Sequence, residues 1–145
     1  EEKSKEITDS ITYAKRIQDA YLPEKDLLTK IFPQAFLLFK PKDIVSGDFY
    51  WSKIVGDFCY FAAVDCTGHG VPGGFMSVLG ISILNDILFD NDAPKPAQVL
   101  DKLNQRVIKE LDQSNREGSS KDGMDISLAM INLKTLHIPP IPVVP

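Results

Sequence analysis

Two strand-like runs separated by one glycine turn constrain the fold of this chain more than any other feature. Residues 49–54 are mostly aromatic and β-branched, and residues 58–64 read Phe-Cys-Tyr-Phe-Ala-Ala-Val. The break at Val55-Gly56-Asp57 between them is a hairpin signal. Because so short a turn keeps the outer ends of two antiparallel strands together, we expect Asp48, before the first strand, to lie near Asp65, after the second.

The two aspartates indicate a site for a hard divalent cation. Carboxylate, carbonyl and water oxygens are the ligands that Mg²⁺ and Mn²⁺ prefer. Asp65 is followed by a turn with Gly68 and Gly70, and glycine lets backbone carbonyls approach a cation or a phosphate closely. Two metal ions held there could direct an activated water at a phosphoryl group without a protein nucleophile. The pattern leaves open the alternative that each aspartate only caps a strand or turn.

Composition places the chain among ordinary globular domains. Its 145 residues, 43% hydrophobic and 25% charged, are enough for one domain with a substantial core. The net charge of −4 argues against a nucleic-acid partner. Cys59 and Cys66 flank a single predicted strand, so we expect two reduced thiols in a cytoplasmic protein. The charged N-terminus lacks a signal-peptide core, and polar residues interrupt the apolar tract 71–89, so we expect no membrane insertion.

The first 22 residues predict a helix that Pro23 ends. Apolar and long side chains repeat along it at spacings of four and three, at Ile7, Ile11, Ala14, Gln18 and Tyr21. Such a seam suits a linker or regulatory helix that forms a short coiled coil in a homodimer. It suits equally well an amphipathic helix that packs on its own core.

The rest of the chain predicts an α+β domain followed by a proline-rich tail over residues 134–145. The helix near residue 80 is apolar nearly all round, so we expect it to be buried between the sheet and another helix. The predicted elements are a helix over 24–32, a strand over 35–39, the hairpin, the buried helix over 75–89, an amphipathic helix over 97–111 and a strand over 124–133.

Several motifs occur together in the order found in one enzyme family. They are Ala14–Ala20, Leu22-Pro23, Phe39-Lys40-Pro41, Ser46–Trp51, Asp65–Gly70 and Val71–Met76. With these motifs the sequence, from about Ile11 to Leu133, resembles the stage II sporulation protein E type of PPM (metal-dependent) serine/threonine phosphatase.

The resemblance implies an α/β sandwich in which two antiparallel sheets are flanked by helices. It also implies hydrolysis of phosphoserine or phosphothreonine by a water that two Mn²⁺ or Mg²⁺ ions activate. The domain division that follows is a linker helix over 1–22, a partial phosphatase domain over 23–133 and the tail over 134–145. By family, an upstream sensor domain controls the enzyme, and the substrate is a phosphorylated regulatory protein similar to an anti-sigma-factor antagonist.

The resemblance also implies roles for individual residues. Asp65 matches the carboxylate that bridges both metals, the backbone carbonyl of Cys66 matches the next ligand, and Asp48 matches a further metal-site aspartate. His69 falls in the glycine turn, where it either transfers a proton at the site or caps the following helix. Lys42 is either a contact for the substrate phosphate or a solvated residue of a charged connector.

The family's further metal-binding aspartates come from strands beyond the matched region, and the sequence predicts a domain that is incomplete at its C-terminus. Asp122 and Asp125 lie before that region and are not equated with those ligands. Because affinity for a divalent cation grows with the number and charge of its ligands, two functions stay open. The chain is either a metal-dependent phosphatase or a weak or inactive form that acts as an interaction or dimerisation module.

Overall fold

Helices and strands alternate irregularly along the chain, which gives an α+β fold as predicted. The structure, a computed structural model, describes residues 2–24, 27–89, 92–111 and 122–136. The elements in these residues are α1 (Glu2–Tyr21), α2 (Leu27–Ile31), β1 (Phe49–Val55), β2 (Phe58–Cys66), α3 (Gly70–Ile87), α4 (Pro96–Glu110) and β3 (Met124–Asn132).

The three strands form one antiparallel sheet with β2 in the centre. The predicted hairpin is present, because β1 pairs with β2 from Phe49 opposite Val64 to Val55 opposite Phe58. Gly56 occupies the first turn position with φ of 56°, a conformation that glycine adopts without strain and that suits a two-residue hairpin turn. No second sheet occurs within the described ranges, so they account for one layer of the expected sandwich.

Among the described elements, α3 and α4 pack against one face of the sheet. Since side chains alternate along a strand, the helix-side face carries every second residue, and these residues are buried with α3 and α4. The buried strand residues of this core are Phe49, Trp51, Val55, Tyr60, Ala62, Val64, Cys66, Leu128 and Met130. The opposite face carries Asp65 and Asp125, which are exposed.

Helix α3 packs against α1, α4 and two strands. Trp51 Nε1 donates a 3.0 Å hydrogen bond to Asn85 Oδ1, which fixes the far end of α3 on β1. Its length and composition alone would also suit a membrane span, but these contacts account for its apolar character. We expected α3 to be buried on all sides, but it has a solvent-exposed face, because Phe75 is 73% exposed.

Two predicted elements differ in the structure. Helix α3 begins at Gly70 rather than at residue 75, since Pro72 lies in its first turn, where proline is tolerated. The predicted strand over 35–39 is absent, and the segment is extended without pairing to a strand. The apolar residues of this segment pack on one side, because Phe36 is 86% exposed while the Phe39 ring contacts Tyr50 edge-on at 5.3 Å.

The two ends of the predicted domain division fall partly outside the described residues. Of the predicted proline-rich tail, residues 137–145 lie there, and residues 133–135 form a turn after β3. The predicted helix over 24–32 is described only from Leu27 to Ile31. The predicted linker helix corresponds closely to α1.

Candidate metal centre

Asp48 and Asp65 come together at one end of the β1–β2 hairpin. Phe49 pairs with Val64, so the next positions outward, Asp48 and Asp65, lie opposite each other. Burial raises the pKa of Asp48, and a hydrogen bond to Asp65 and the negative charge of Asp65 raise it further. The two carboxyl groups therefore lie close together, and burial and the nearby charge of Asp65 favour the protonated form of Asp48.

A third carboxylate stands next to this pair. In the β2–β3 ladder, Asp65 is directly opposite Asp125, and both side chains are exposed on the sheet face away from the helices. From the sequence, Asp125 was not equated with a metal ligand, because it lies before the region that supplies the family's further aspartates. Its register with β2 depends on a long-range pairing. The alternation of β3 places Asp125 on a face of the sheet, but the sequence does not reveal which residue lies opposite.

The three aspartates line one open cavity of about 730 Å³. Its floor is the exposed face of the sheet, with Ala63 and Ser127 beside the carboxylates, and one wall is the extended segment Leu37–Lys40. The cavity thus lies where the second layer of a sandwich would face the first. Its size and its carboxylates suit a hydrated cation together with a small anionic group.

Two glycines bring the backbone around the aspartates into close contact. A Cβ atom on Gly47 would lie 2.8 Å from the carbonyl oxygen of Gly68 and 3.3 Å from that of Cys66. A Cβ atom on Gly73 would lie 2.7 Å from the same Gly68 oxygen. The segment before Asp48, the turn after β2 and the start of α3 can therefore meet only because these positions lack side chains.

Cys66 presents its backbone rather than its thiol to the site. Burial raises the pKa of the thiol to about 12, and the charges of Asp65 and Asp48 add to the effect, so the sulfur stays protonated at neutral pH. Its carbonyl oxygen lies beside Gly47. The next residue, Thr67, accepts a 3.0 Å hydrogen bond at Oγ1 from the backbone N–H of Gly123, which ties the turn to the segment that leads into Asp125.

The other two predicted site residues lie away from the acidic cavity. His69 is the N-cap residue of α3, makes no side-chain capping bond, and its Nδ1 lies 3.2 Å from Asp43 Oδ2. Its side chain is 84% exposed beside a separate cleft of about 280 Å³ that Ile11 also lines. Lys42 does not line the acidic cavity, whereas Lys40, two residues earlier, does.

Gln18 links α1 to the segment that carries Asp48. Its side chain is 3% exposed, and Nε2 donates to the carbonyl of Ser46 at 2.6 Å and to Ser77 Oγ at 2.7 Å. Oε1 accepts the backbone N–H of Ser46 at 3.0 Å. Both polar backbone groups of Ser46 are thus held by one side chain, two residues before Asp48. The sequence placed Gln18 in the helix seam without indicating this function.

The donor set fits a divalent cation that keeps part of its water shell. Within the described ranges, no three His, Cys, Asp or Glu side chains are grouped as a ready metal cage. Mg²⁺, however, is commonly held by one or two carboxylates and several waters. Asp48 and Asp65, close together and repelling each other, offer such a pair, and the repulsion would be relieved by a cation between them.

Comparison with known proteins finds similarity among the solved structures. No protein-family model matches the chain, and no curated protein matches it. Among solved structures, the chain is similar to the SiaA-PP2C domain of Pseudomonas aeruginosa, with 32% sequence identity and a TM-score of 0.77. The similarity covers 90% of this chain and 51% of that chain, so this chain spans about half of it. The chain therefore has the fold of the matched half of that PP2C domain.

Proposed function

We propose that this chain forms part of a metal-dependent serine/threonine protein phosphatase of the stage II sporulation protein E type. The observation that supports this most is the proximity of Asp48 and Asp65 at an open cavity, in a fold similar to a PP2C domain. The proposed substrate is a phosphoserine or phosphothreonine on a bacterial regulatory protein similar to an anti-sigma-factor antagonist. An upstream sensor domain and a cytoplasmic location belong to the same proposal.

The proposed cofactor is Mn²⁺ or Mg²⁺. When bound, it would lower the pKa of a water molecule and neutralise part of the phosphoryl charge. Asp65, between Asp48 and Asp125 in the sheet, is the residue best placed to hold two ions at once. Asp48 and the carbonyl of Cys66 would complete the early part of the site, and Asp125 adds a carboxylate that the sequence analysis did not include.

The remaining residues would position these ligands. The glycine contacts of Gly47 and Gly73 hold Asp48 close to the turn after β2, and Gln18 holds the backbone of Ser46. The proposed proton transfer by His69 requires its ring to leave Asp43, which it contacts at 3.2 Å. A His69→Gln variant tests this role through the pH profile of the reaction.

Phosphatase activity is tested with the whole chain, Mn²⁺ and p-nitrophenyl phosphate. We expect release of p-nitrophenol that depends on Mn²⁺ and is lost in Asp65→Asn, with Asp101→Asn on the exposed face of α4 as the matched control. Electron paramagnetic resonance of Mn²⁺ should show weaker binding to Asp65→Asn than to the control. Equal Mn²⁺ binding and equal release by the two variants would exclude the proposed site.

A second candidate function is an interaction or dimerisation module. Helix α1 favours it, because Ile7, Tyr13 and Ile17 are exposed on it, and a helix with unpartnered apolar residues suits a contact with another chain. Analytical ultracentrifugation of the chain with and without residues 1–22 is the test. A monomer in both cases, with no partner bound by α1, would remove this candidate.

A further inference from the structure

We propose that Lys40 is the side chain that binds the phosphate group of the substrate in the acidic cavity. This inference rests on the proposed phosphatase function and adds the residue that recognises the anion. From the sequence alone, Lys42 was the candidate for that role. The structure distinguishes the two lysines, because Lys40 lines the cavity with Asp48 and Asp65 and Lys42 does not.

Lys40 is the one cationic residue among the described residues that line the cavity. The other lining residues are three aspartates, one serine and apolar or aromatic side chains. A phosphate dianion that enters this space meets carboxylates on the sheet face. Even with divalent cations bound, a positive charge on the opposite wall would favour the dianion over a neutral molecule of the same size.

The ammonium group of Lys40 is not engaged elsewhere. It forms no ion pair or hydrogen bond with any described residue, whereas Lys15, Lys30 and Lys134 are paired with carboxylates. The three aspartates face one another across the strands instead of pairing with Lys40. A lysine that lines the same cavity as three carboxylates, and pairs with none of them, is available for an anionic ligand that enters the cavity.

The backbone holds Lys40 at the edge of the cavity. The preceding residue, Phe39, packs its ring against Tyr50 at 5.3 Å, and Tyr50 follows Asp48 by two residues on the same face of β1. Pro41 comes next and restricts the conformation of Lys40 to extended backbone. The side chain of Lys40 itself is exposed, so its flexible stem can reach a phosphate that lies over the aspartates. Lysine commonly binds phosphate in this way, as a mobile point charge.

The test measures binding of inorganic phosphate to the whole chain by calorimetry in the presence of Mn²⁺, with Mn²⁺ affinity measured separately by electron paramagnetic resonance. Lys40→Gln should weaken phosphate binding about 10-fold or more, since a hydrogen bond to a charged group is lost. Lys40→Arg should restore most of the affinity. Lys5→Gln, in the exposed first turns of α1, removes the same charge at a distance and should change phosphate binding less than 2-fold.

The outcomes separate this inference from the proposed function. Mn²⁺ affinity should be unchanged or slightly tighter in Lys40→Gln, because a nearby positive charge is removed. Two results would overturn the role of Lys40 and leave the proposed function standing, provided that Mn²⁺ binding is normal. One is equal phosphate affinity in Lys40→Gln and Lys5→Gln, and the other is no phosphate binding in the natural chain. A larger loss in Lys42→Gln than in Lys40→Gln would also overturn it. Absence of Mn²⁺ binding in every protein would overturn the proposed function itself.

Discussion

Three carboxylates lie side by side on the open face of the sheet, in the order Asp48, Asp65, Asp125. Like charges directly opposite one another destabilise a sheet, and the charge of Asp65 contributes, after burial and a hydrogen bond, to the raised pKa of Asp48. A fold that keeps such a row without a cation is less stable than the same fold with a neutral residue in the middle. Substitution of a residue that serves binding can therefore increase the stability of the metal-free chain, whereas substitution of a residue that serves stability decreases it.

We predict that Asp65→Asn stabilises the metal-free chain at pH 7 by about 0.2–1 kcal/mol. The pKa of Asp48 lies above its ordinary value of 3.8 in the folded chain, so the folded state binds this proton more tightly than the unfolded state. The stabilisation from that proton is present below pH 3.8 and is lost as the pH rises through the folded pKa. The advantage of the variant should therefore grow from pH 4 to pH 7.

The measurement is urea unfolding in EDTA over that pH range, with Asp101→Asn as the control that removes an exposed charge of α4. Asp101→Asn should change the free energy of unfolding by less than about 0.5 kcal/mol. An Asp65→Asn variant that is less stable than the natural chain at every pH would contradict repulsion within the row.

The close approach at Gly73 leads to a second prediction. Alanine has a higher helix propensity than glycine by about 1 kcal/mol, so Gly→Ala inside α3 would ordinarily stabilise. At Gly73 the added Cβ would lie 2.7 Å from the Gly68 carbonyl oxygen and 3.0 Å from Gly47 Cα, and backbone atoms cannot move aside cheaply. Gly73→Ala should therefore destabilise the chain by about 1–3 kcal/mol, as overpacking does.

Gly123→Ala is the matched control, because no atom of the described residues, apart from the chain neighbours of Gly123, lies within 4 Å of a Cβ at that position. Thermal unfolding of both variants should place the melting temperature of Gly73→Ala well below that of Gly123→Ala. A Gly73→Ala chain with the stability expected from helix propensity alone would show that the three backbone segments are not in contact.

At the level of helices and strands, the sequence predicted the features that depend on residues close together in the chain. The hairpin followed from two strand-like runs around Gly56, and the buried face of α4, with Val99, Leu103 and Val107, followed from its helical periodicity. The proximity of Asp48 and Asp65 could be predicted because it needs only the hairpin. Asp125 and Lys40 could not, since their positions depend on a long-range strand register and on an extended segment that lacks a strand partner.

The start of α3 was predicted too late in the chain, at residue 75, because the residues before it are rich in glycine and proline. Gly70, Pro72, Gly73 and Gly74 favour a loop when only propensities are considered. In the fold these residues are helical, because Pro72 lies in the first turn and Gly73 lies against the backbone of Gly47 and Gly68. Tertiary contact therefore overrode the local preference.

A third prediction concerns the connection between α1 and the site. Gln18→Leu keeps the size of the side chain but removes three hydrogen bonds, two of them to the backbone of Ser46. The polar groups left buried should cost about 1–3 kcal/mol of unfolding free energy. Hydrogen exchange of the Ser46 amide should become faster, since its acceptor is gone.

Gln105→Leu, on the exposed side of α4, is the control for replacing a helical glutamine with leucine. It should leave the exchange of the Ser46 amide unchanged and alter stability by less than about 0.5 kcal/mol. Equal protection of the Ser46 amide in Gln18→Leu and Gln105→Leu would mean that Gln18 does not hold the segment before Asp48.

At the scale of the whole molecule, the edge of the sheet at β3 is unpaired within the described residues. A long apolar edge strand without lysine or proline readily pairs with another chain, so we predict that the purified chain self-associates through β3. Sedimentation velocity should show an average mass that rises with concentration. Ser127→Lys places a charge on β3 and should shift the chain towards monomer, while Ser82→Lys, on the exposed side of α3, should not. A monomer at high concentration with fully protected β3 amides would mean that another part of the protein covers this edge.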